Sequence, residues 1–264
     1  MSDFSKLNLK RALGKVWGLA GEPSDRSVIL LYHSLGTNPP AVAENSFRRQ
    51  IAWLVENASV LPLEDLLAGP DANGLRVAIT FDDGYATLHD AVAPILAECG
   101  ATATVYLNTG RIGETARKPS DAGQGHYPHE HFLTWLEVEA LAKAGWTIGS
   151  HGVEHLDLTQ QDAATVMHEL GDSKREIESR LGRPCRHFAY TWGRFTPALQ
   201  RAVRQAGYAS AVSGLHGSMS SASEVYALPR IDIRTEYELG DFKDLVTGRW
   251  DYLGLKQRLA RRLA

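Results

Sequence analysis

The sequence has little cysteine and no long apolar segment. Its two cysteines, Cys99 and Cys185, lie far apart and form no Cys-x-x-Cys pattern, which argues against a disulfide framework. No window is long and apolar enough to cross a membrane, and no apolar signal region follows Met1. We therefore expect a cytoplasmic protein that is at most peripheral to a membrane surface.

The sequence also lacks a large excess of charge of either sign. Its 28 basic and 31 acidic residues give a formal net charge of -3, which does not favour nucleic acid as a partner. With 264 residues, 44% of them hydrophobic, the chain is long enough for one large domain. We place a catalytic domain at 26–264 and an N-terminal helix within 1–25.

The N-terminal segment combines basic side chains with apolar ones at helical spacing. The apolar positions are Leu9, Leu13, Val16, Trp17 and Ala20, and four basic residues lie among them. A basic amphipathic helix of this kind can lie on a membrane surface. The more usual alternative is a helix that packs on the protein's own core.

Short apolar segments alternate with helical patterns at least five times along the chain. The segments at 27–32, 77–81, 102–107, 146–149 and 187–190 have the composition of buried strands. This alternation predicts a parallel sheet covered by helices, either open or closed as a barrel. The loop at 108–130 is long enough to suggest a functional role.

Polar residues stand at the carboxyl ends of three predicted strands: His33, Asp82 with Asp83, and His151 with His155. Sites in parallel α/β folds form at these strand ends. Two histidines four residues apart can lie on one face of a helical turn and hold one ion. Together with a carboxylate, they are a usual ligand set for a catalytic divalent metal.

The adjacent acids Asp82 and Asp83 need different roles. Side chains alternate across a strand, so the two carboxylates cannot both point the same way from a regular strand end. One carboxylate can then hold a metal while the other accepts a proton from water. Gly84 allows the chain to turn sharply beside them.

The segments Thr80-Phe81-Asp82-Asp83-Gly84 and His151-Gly152-Val153-Glu154-His155 resemble the two metal-site motifs of the polysaccharide deacetylase family. This family is also called the NodB-homology domain or carbohydrate esterase family 4, and the resemblance extends from about 28 to 233. It implies a distorted (β/α)7 barrel and a hydrolase that removes N-acetyl, or less often O-acetyl, groups from sugars.

The resemblance also implies roles for individual residues. Asp83, His151 and His155 would hold a divalent metal, usually Zn²⁺, with Co²⁺, Mn²⁺ or Ni²⁺ as other candidates. Asp82 would be the general base. A backbone N–H near 190–193 would bind the oxyanion together with the metal.

The sequence departs from the family pattern at three places. Gly152 replaces the usual Ser or Thr, the segment 189–193 lacks the usual arginine, and no late Leu-x-His motif follows. We predict that Arg230 supplies the missing positive charge near Asp82. Leu30-Leu31-Tyr32-His33 resembles the early Tyr-His strand of the permuted subgroup that includes biofilm poly-N-acetylglucosamine deacetylases, which makes His33 the predicted general acid.

The expected substrate is an N-acetylated glycan or a membrane-bound glycolipid. Aromatic side chains at strand ends can stack on a sugar face. The predicted substrate-binding residues are Tyr85, Tyr190, Trp192, Gly193 and Arg230. Two alternatives stay open: an amidohydrolase of small cyclic amides on the same fold, and a catalytically silent glycan-binding module.

Overall fold

The computed structural model describes residues 3–19, 21, 25–36, 41–69, 73–113 and 131–263. Most of the predicted loop at 108–130 therefore lies outside the described residues. The strands are β1 (Arg26–Tyr32), β2 (Ser59–Val60), β3 (Leu75–Phe81), β4 (Thr104–Leu107), β5 (Thr147–Ser150), β6 (His187–Ala189), β7 (Ser210–Val212) and β8 (Ile231–Asp232).

Helices connect the strands along most of the chain. They are α1 (Asp3–Gly18), α2 (Glu44–Asn57), α3 (Leu63–Ala68), α4 (Ala93–Glu98), α5 (Trp135–Lys143), α6 (Ala163–Leu181), α7 (Pro197–Gln205), α8 (Leu239–Thr247) and α9 (Tyr252–Leu263). A capping box formed by Thr134 and Glu137 starts α5. The Thr134 hydroxyl accepts from the Glu137 N–H at 3.3 Å, and the Glu137 carboxylate accepts from the Thr134 N–H at 2.6 Å.

The strands form one parallel sheet in the order β7-β6-β5-β4-β3-β1-β8, and β2 pairs with β3. The segment before β8 joins the two ends of this sheet, because Leu228 bridges Val212 of β7 and Ile231 pairs with Leu30 of β1. The result is the predicted distorted (β/α) barrel. Strand β8 has only two residues, because the residues before it bond to β7 before the chain reaches β1.

Alternate residues of the strands enter two different hydrophobic clusters. Val77 and Ile79 of β3 pack in the large cluster that includes the helices, whereas Ala78 belongs to a smaller inner cluster. This alternation explains why the strands are apolar on both faces. The same alternation places Thr80 and Asp82 on the inner side with Ala78. Asp82 therefore faces the end of the barrel interior.

The N-terminal helix α1 packs on the barrel through a mixed face, in which Leu7 is buried in the large hydrophobic cluster and Gly14 lies against Trp250. Arg11 donates to both carboxylate oxygens of Asp241 in α8, each at 2.7 Å. The apolar stripe points the other way, since Leu9, Leu13 and Val16 are 50%, 44% and 66% exposed. The helix thus packs on the protein's own core, while these three apolar side chains stay exposed. No helix within the described ranges is long and apolar enough to cross a membrane.

Candidate active site

The two acids after β3 both face the same cavity. Asp82 is held in line with the neighbouring strand, because its N–H donates to the Tyr32 carbonyl at 3.0 Å. Asp83 then adopts a left-handed conformation with φ 72°, followed by Gly84 with φ 79°. This turn brings the Asp83 carboxylate round to the cavity. A regular strand end would have sent it to the opposite face.

Asp83, His151 and His155 form a compact, buried set of potential metal ligands. Oδ1 of Asp83 lies 3.5 Å from Nε2 of His151 and 3.4 Å from Nε2 of His155. Ligands about 2.1 Å from a tetrahedral ion lie about 3.4 Å from one another, so the three atoms fit a zinc-like ion. Two imidazoles and a carboxylate leave further positions for water and substrate.

His151 is oriented for metal binding by the hydrogen bond of its other ring nitrogen. Nδ1 lies 2.8 Å from the Ala189 carbonyl, which can only accept, so Nδ1 carries the proton and Nε2 presents a lone pair. Burial is the main cause that lowers the pKa of His151 to about 4. The imidazole is therefore neutral at neutral pH, as a metal ligand must be.

Arg230 makes a bidentate ion pair with Asp82 at the bottom of the cavity. Its Nη1 and Nη2 donate to the two Asp82 oxygens at 2.7 and 2.8 Å, and its Nε donates to the Ser213 carbonyl at 3.2 Å. Burial alone would raise the pKa of Asp82, but Arg230 and then His151 outweigh it and lower the pKa to about 2. Arg230 therefore supplies the positive charge that was predicted near Asp82.

His33 is the first residue after β1, and Asp82 is the first residue after the neighbouring strand β3. The strand register pairs Tyr32 with Phe81, so the next residue of each strand reaches the same end of the barrel. Both side chains line one cavity of about 480 Å³. The role of His33 as general acid stays a prediction, and its position is compatible with that role.

Glu169 of α6 holds the loop between the two histidines, and sequence reasoning missed it. Its Oε2 accepts from the N–H groups of Val153 at 2.7 Å and Glu154 at 3.1 Å. A Cβ on Gly152 would lie only 2.7 Å from this oxygen, so the buried carboxylate takes the space left by Gly152. The signal in the sequence was an acid on the apolar face of α6, one residue before Leu170.

The predicted aromatic contacts divide into two groups. Trp192 and Gly193 line the cavity, and the Trp192 ring lies 5.1 Å from the His155 ring. The Tyr85 and Tyr190 rings are instead buried: Tyr85 stacks on a neighbouring phenylalanine, and Tyr190 donates to the Tyr226 carbonyl at 2.9 Å. The structure therefore does not support sugar contacts by Tyr85 and Tyr190, because core packing occupies both rings.

Backbone strain is concentrated at the same place. Among the described residues, the residues other than glycine with positive φ are Asp83, His155 and Trp192. Left-handed conformations are costly for such residues and persist where the surrounding structure requires them, often at functional sites. Two of the three are potential metal ligands, and the third stands at the rim of the cavity.

Comparison with known proteins identifies the fold and the motifs together. The polysaccharide deacetylase family model matches residues 70–211, more than half of the chain, including both acids and both histidines of the site. The chain belongs to the polysaccharide deacetylase family. It is accordingly a hydrolase of the polysaccharide deacetylase type, acting on carbon–nitrogen bonds of linear amides, in a family that is generally metal-dependent.

The relatives differ from this chain at most positions, but the similarity covers most of its length. YxkH of Bacillus subtilis, which carries the name of a polysaccharide deacetylase, is 28% identical over 78% of this chain and 70% of its own length. A poly-β-1,6-N-acetyl-D-glucosamine N-deacetylase of Staphylococcus aureus is 23% identical over 80% of this chain and 72% of its own. The structure of the Streptococcus pyogenes deacetylase PplD in complex with acetate has the same fold, with a TM-score of 0.70, 23% identity and coverage of 84% and 98%.

Proposed function

We propose that this deacetylase removes N-acetyl groups from an amino-sugar-containing glycan or a lipid-linked saccharide, with a divalent metal, most simply zinc. The observation that carries the proposal is the juxtaposition of the Asp83–His151–His155 triad and the Arg230-bound Asp82 in one cavity. The Staphylococcus aureus relative is named for a polymer of N-acetylglucosamine, which supports an amino sugar as the target.

Each residue of the site has a chemical task in this proposal. Asp83, His151 and His155 would hold the metal, which when bound supplies Lewis-acid polarisation of the acetyl carbonyl. Asp82 accepts a proton from the attacking water, and Arg230 holds it in place. Each Asp82 oxygen keeps a lone pair for this proton, because a carboxylate oxygen can accept a second hydrogen bond. His33 donates a proton to the leaving amine.

The backbone after β6 supplies candidates for binding the oxyanion. The Tyr190 N–H donates to the Val212 carbonyl at 3.1 Å, and the Gly193 N–H donates to the Tyr190 carbonyl at 2.8 Å. Those two groups are therefore occupied within the protein. The remaining N–H groups of the predicted segment are those of Thr191 and Trp192, and we assign the oxyanion contact to one of them.

The proposal predicts a metal-dependent release of acetate. Purified protein should contain about one divalent metal per chain and should release acetate from N-acetylated chito-oligosaccharides. Removal of the metal with a chelator should abolish release, and zinc or cobalt should restore it. Metal analysis and an acetate assay measure the two quantities.

The same assay separates the alternatives. Protein that binds no stoichiometric metal and releases no acetate after zinc or cobalt is added would contradict the proposal. Hydrolysis of cyclic amides in place of chito-oligosaccharides would identify the small-amide amidohydrolase. The silent binding module is disfavoured, because a module without catalysis has no need for the strained Asp83 and the paired Asp82.

We also infer a peripheral membrane contact through the terminal helices. The exposed apolar stripe of α1 is matched by Leu255 and Leu259 on α9, which are 44% and 52% exposed. Both helices carry several basic residues. Exposed leucines beside basic residues are the features by which a helix binds an anionic membrane surface.

Vesicle binding tests this contact. Val16→Glu should weaken sedimentation with anionic phospholipid vesicles by at least about tenfold, because it places a charge in the stripe that would enter the lipid. Leu136→Glu is the matched control, since Leu136 of α5 is 78% exposed and lies outside the terminal helices. Wild-type protein that stays in solution, or a Val16→Glu variant that binds as wild type does, would refute the inference.

A further inference from the structure

The cavity extends from the metal triad to an end formed by the terminal helices. Lys10 of α1, Lys256 of α9 and Arg234, which follows β8, line it there. Three acids line the described cavity as a whole: Asp82, Asp83 and Asp232. Asp82 is paired with Arg230, Asp83 belongs to the triad, and Asp232 accepts from Arg234 at 2.8 Å. The end between the helices therefore carries an excess of positive charge.

Lys10 contributes the most constrained of these charges. Its ammonium group donates to the Tyr237 hydroxyl at 3.0 Å and lies 5.3 Å from the centre of that ring. Within the described part of the chain, no carboxylate lies within ion-pair distance of Lys10 or Lys256. Burial, followed by repulsion from Arg234, lowers the pKa of Lys10 and outweighs the opposing attraction of the nearby carboxylates. Glu236, Asp232 and Asp241 attract Lys10 from a distance, but none of them forms a direct ion pair with it, so a half-buried ammonium group stays open to an anion that enters the cavity.

A second group at this end is also left without a partner. His216 is buried, and within the described residues its Nε2 has no hydrogen-bond partner. A carboxylate oxygen of Asp251 is 3.9 Å from this nitrogen, but Arg26 already binds that carboxylate through both of its oxygens. A buried polar atom beside a cavity is usually satisfied by water or by a ligand.

We propose that this end of the cavity is a subsite for a phosphate group attached to the acetylated sugar. The subsite consists of Lys10, His216, Arg234, Tyr237 and Lys256, and we call it the anion subsite. The proposal rests on the proposed function, because it places the phosphate on the substrate of the same metal site. Lysine ammonium groups and a neutral histidine are suited to a phosphate as point charges and hydrogen-bond donors.

A phosphorylated sugar has two sources, one soluble and one linked to a lipid. The same two helices that carry Lys10 and Lys256 expose Leu13 and Leu255 on their outer surfaces. A lipid attached to the phosphate could leave the subsite along these helices, so both sources suit the anion subsite. The soluble and the lipid-linked sugar phosphate differ only in the group attached to the other side of the phosphate, and the experiment uses a substrate of each kind.

The test compares a matched pair of soluble substrates, N-acetylglucosamine 1-phosphate and methyl N-acetylglucosaminide. Wild-type enzyme should have a kcat/KM at least about tenfold higher for the phosphate, the effect of one charge-assisted hydrogen bond. Lys10→Gln should reduce this preference to less than about threefold, chiefly through KM. Arg234→Gln is a second variant with the same expected direction, in case Lys10→Gln folds poorly.

Lys143→Gln is the matched control, because it removes the same charge from the exposed surface of α5. It should leave the preference at the wild-type value. Equal kcat/KM for the two substrates in the wild type, or an equal loss on both in Lys10→Gln, would overturn the anion subsite. A wild-type enzyme that releases acetate neither from these two substrates nor from chito-oligosaccharides would instead mean that the proposed function fails.

In that last case, calorimetry with N-acetylglucosamine 1-phosphate still decides the matter. Binding to the wild type that is at least about tenfold weaker in Lys10→Gln supports the subsite, and equal or absent binding overturns it. A further arm uses the same sugar phosphate on a polyprenyl chain in phosphatidylcholine vesicles. Faster turnover of this lipid than of the soluble phosphate identifies the lipid-linked source, and slower turnover identifies the soluble one.

Discussion

Replacing Asp82 with Asn should lower kcat for acetate release by about 10²–10⁴-fold, the usual contribution of a general base. An amide has nearly the same size as the carboxylate but cannot accept a proton from water at neutral pH. The metal triad is unchanged, so zinc content should stay at the wild-type level. Steady-state kinetics and metal analysis on the same preparation measure both quantities.

Asp241 offers a matched control for this substitution. It is also a buried aspartate held by two hydrogen bonds from one arginine, Arg11, but it lies in α8 and does not line the cavity. Asp82→Asn should reduce the free energy of unfolding by about 3 kcal/mol, because it leaves Arg230 as an uncompensated buried charge. Asp241→Asn should cost less, because Arg11 is partly exposed, and should leave kcat unchanged. An Asp82→Asn enzyme with near wild-type kcat would disprove the base assignment.

The barrel could be predicted from the sequence because its strands are buried on both faces. Segments such as 77–81 and 102–107 are rich in apolar residues and contain no charged one, as expected for strands that a covered parallel sheet buries on both sides. The sequence signal was weaker for β2 and β8. Each has only two residues, and tertiary contacts place them, with no local pattern of their own.

The metal ligands and the base could also be predicted, because two motifs lie in the right order along the chain. The three-dimensional arrangement of these residues could not be predicted from the sequence. Local alternation predicts opposite directions for Asp82 and Asp83, and the left-handed turn at Asp83 overrides it. Arg230 is more than 140 residues from Asp82, so the sequence could suggest this pair but only the connection from β7 through Leu228 to β8 brings it together.

A local sequence pattern does not say which face of an element is buried, and α1 and Tyr85 are two examples. The helical periodicity of α1 correctly predicts a helix, yet its apolar stripe faces outward while the ion pair of Arg11 and Asp241 attaches it to α8. Tyr85 adjoins the acidic motif, yet the turn at Gly84 directs its ring into the core.

Replacing Asp83 with Asn should weaken zinc binding by more than about a hundredfold. Loss of an outer partner of a metal ligand already costs about 10–100-fold, and Asp83 is itself the anionic ligand in the proposed triad. Asparagine tolerates the left-handed conformation, so the turn at φ 72° should survive the substitution. The metal affinity can be measured by competition with a chromogenic chelator.

Thermal unfolding gives an independent measurement of the same change. Zinc that binds only the native state raises the melting temperature of the wild type, and this rise should be largely lost in Asp83→Asn. Asp82→Asn is the control, because its melting temperature should still rise with zinc from a lower starting value. If Asp83→Asn kept the zinc response and Asp82→Asn lost it, the roles of the two acids would be reversed. The family assignment would stand in that case, since the motif contains both residues, but the left-handed turn would then serve to present a base and not a ligand.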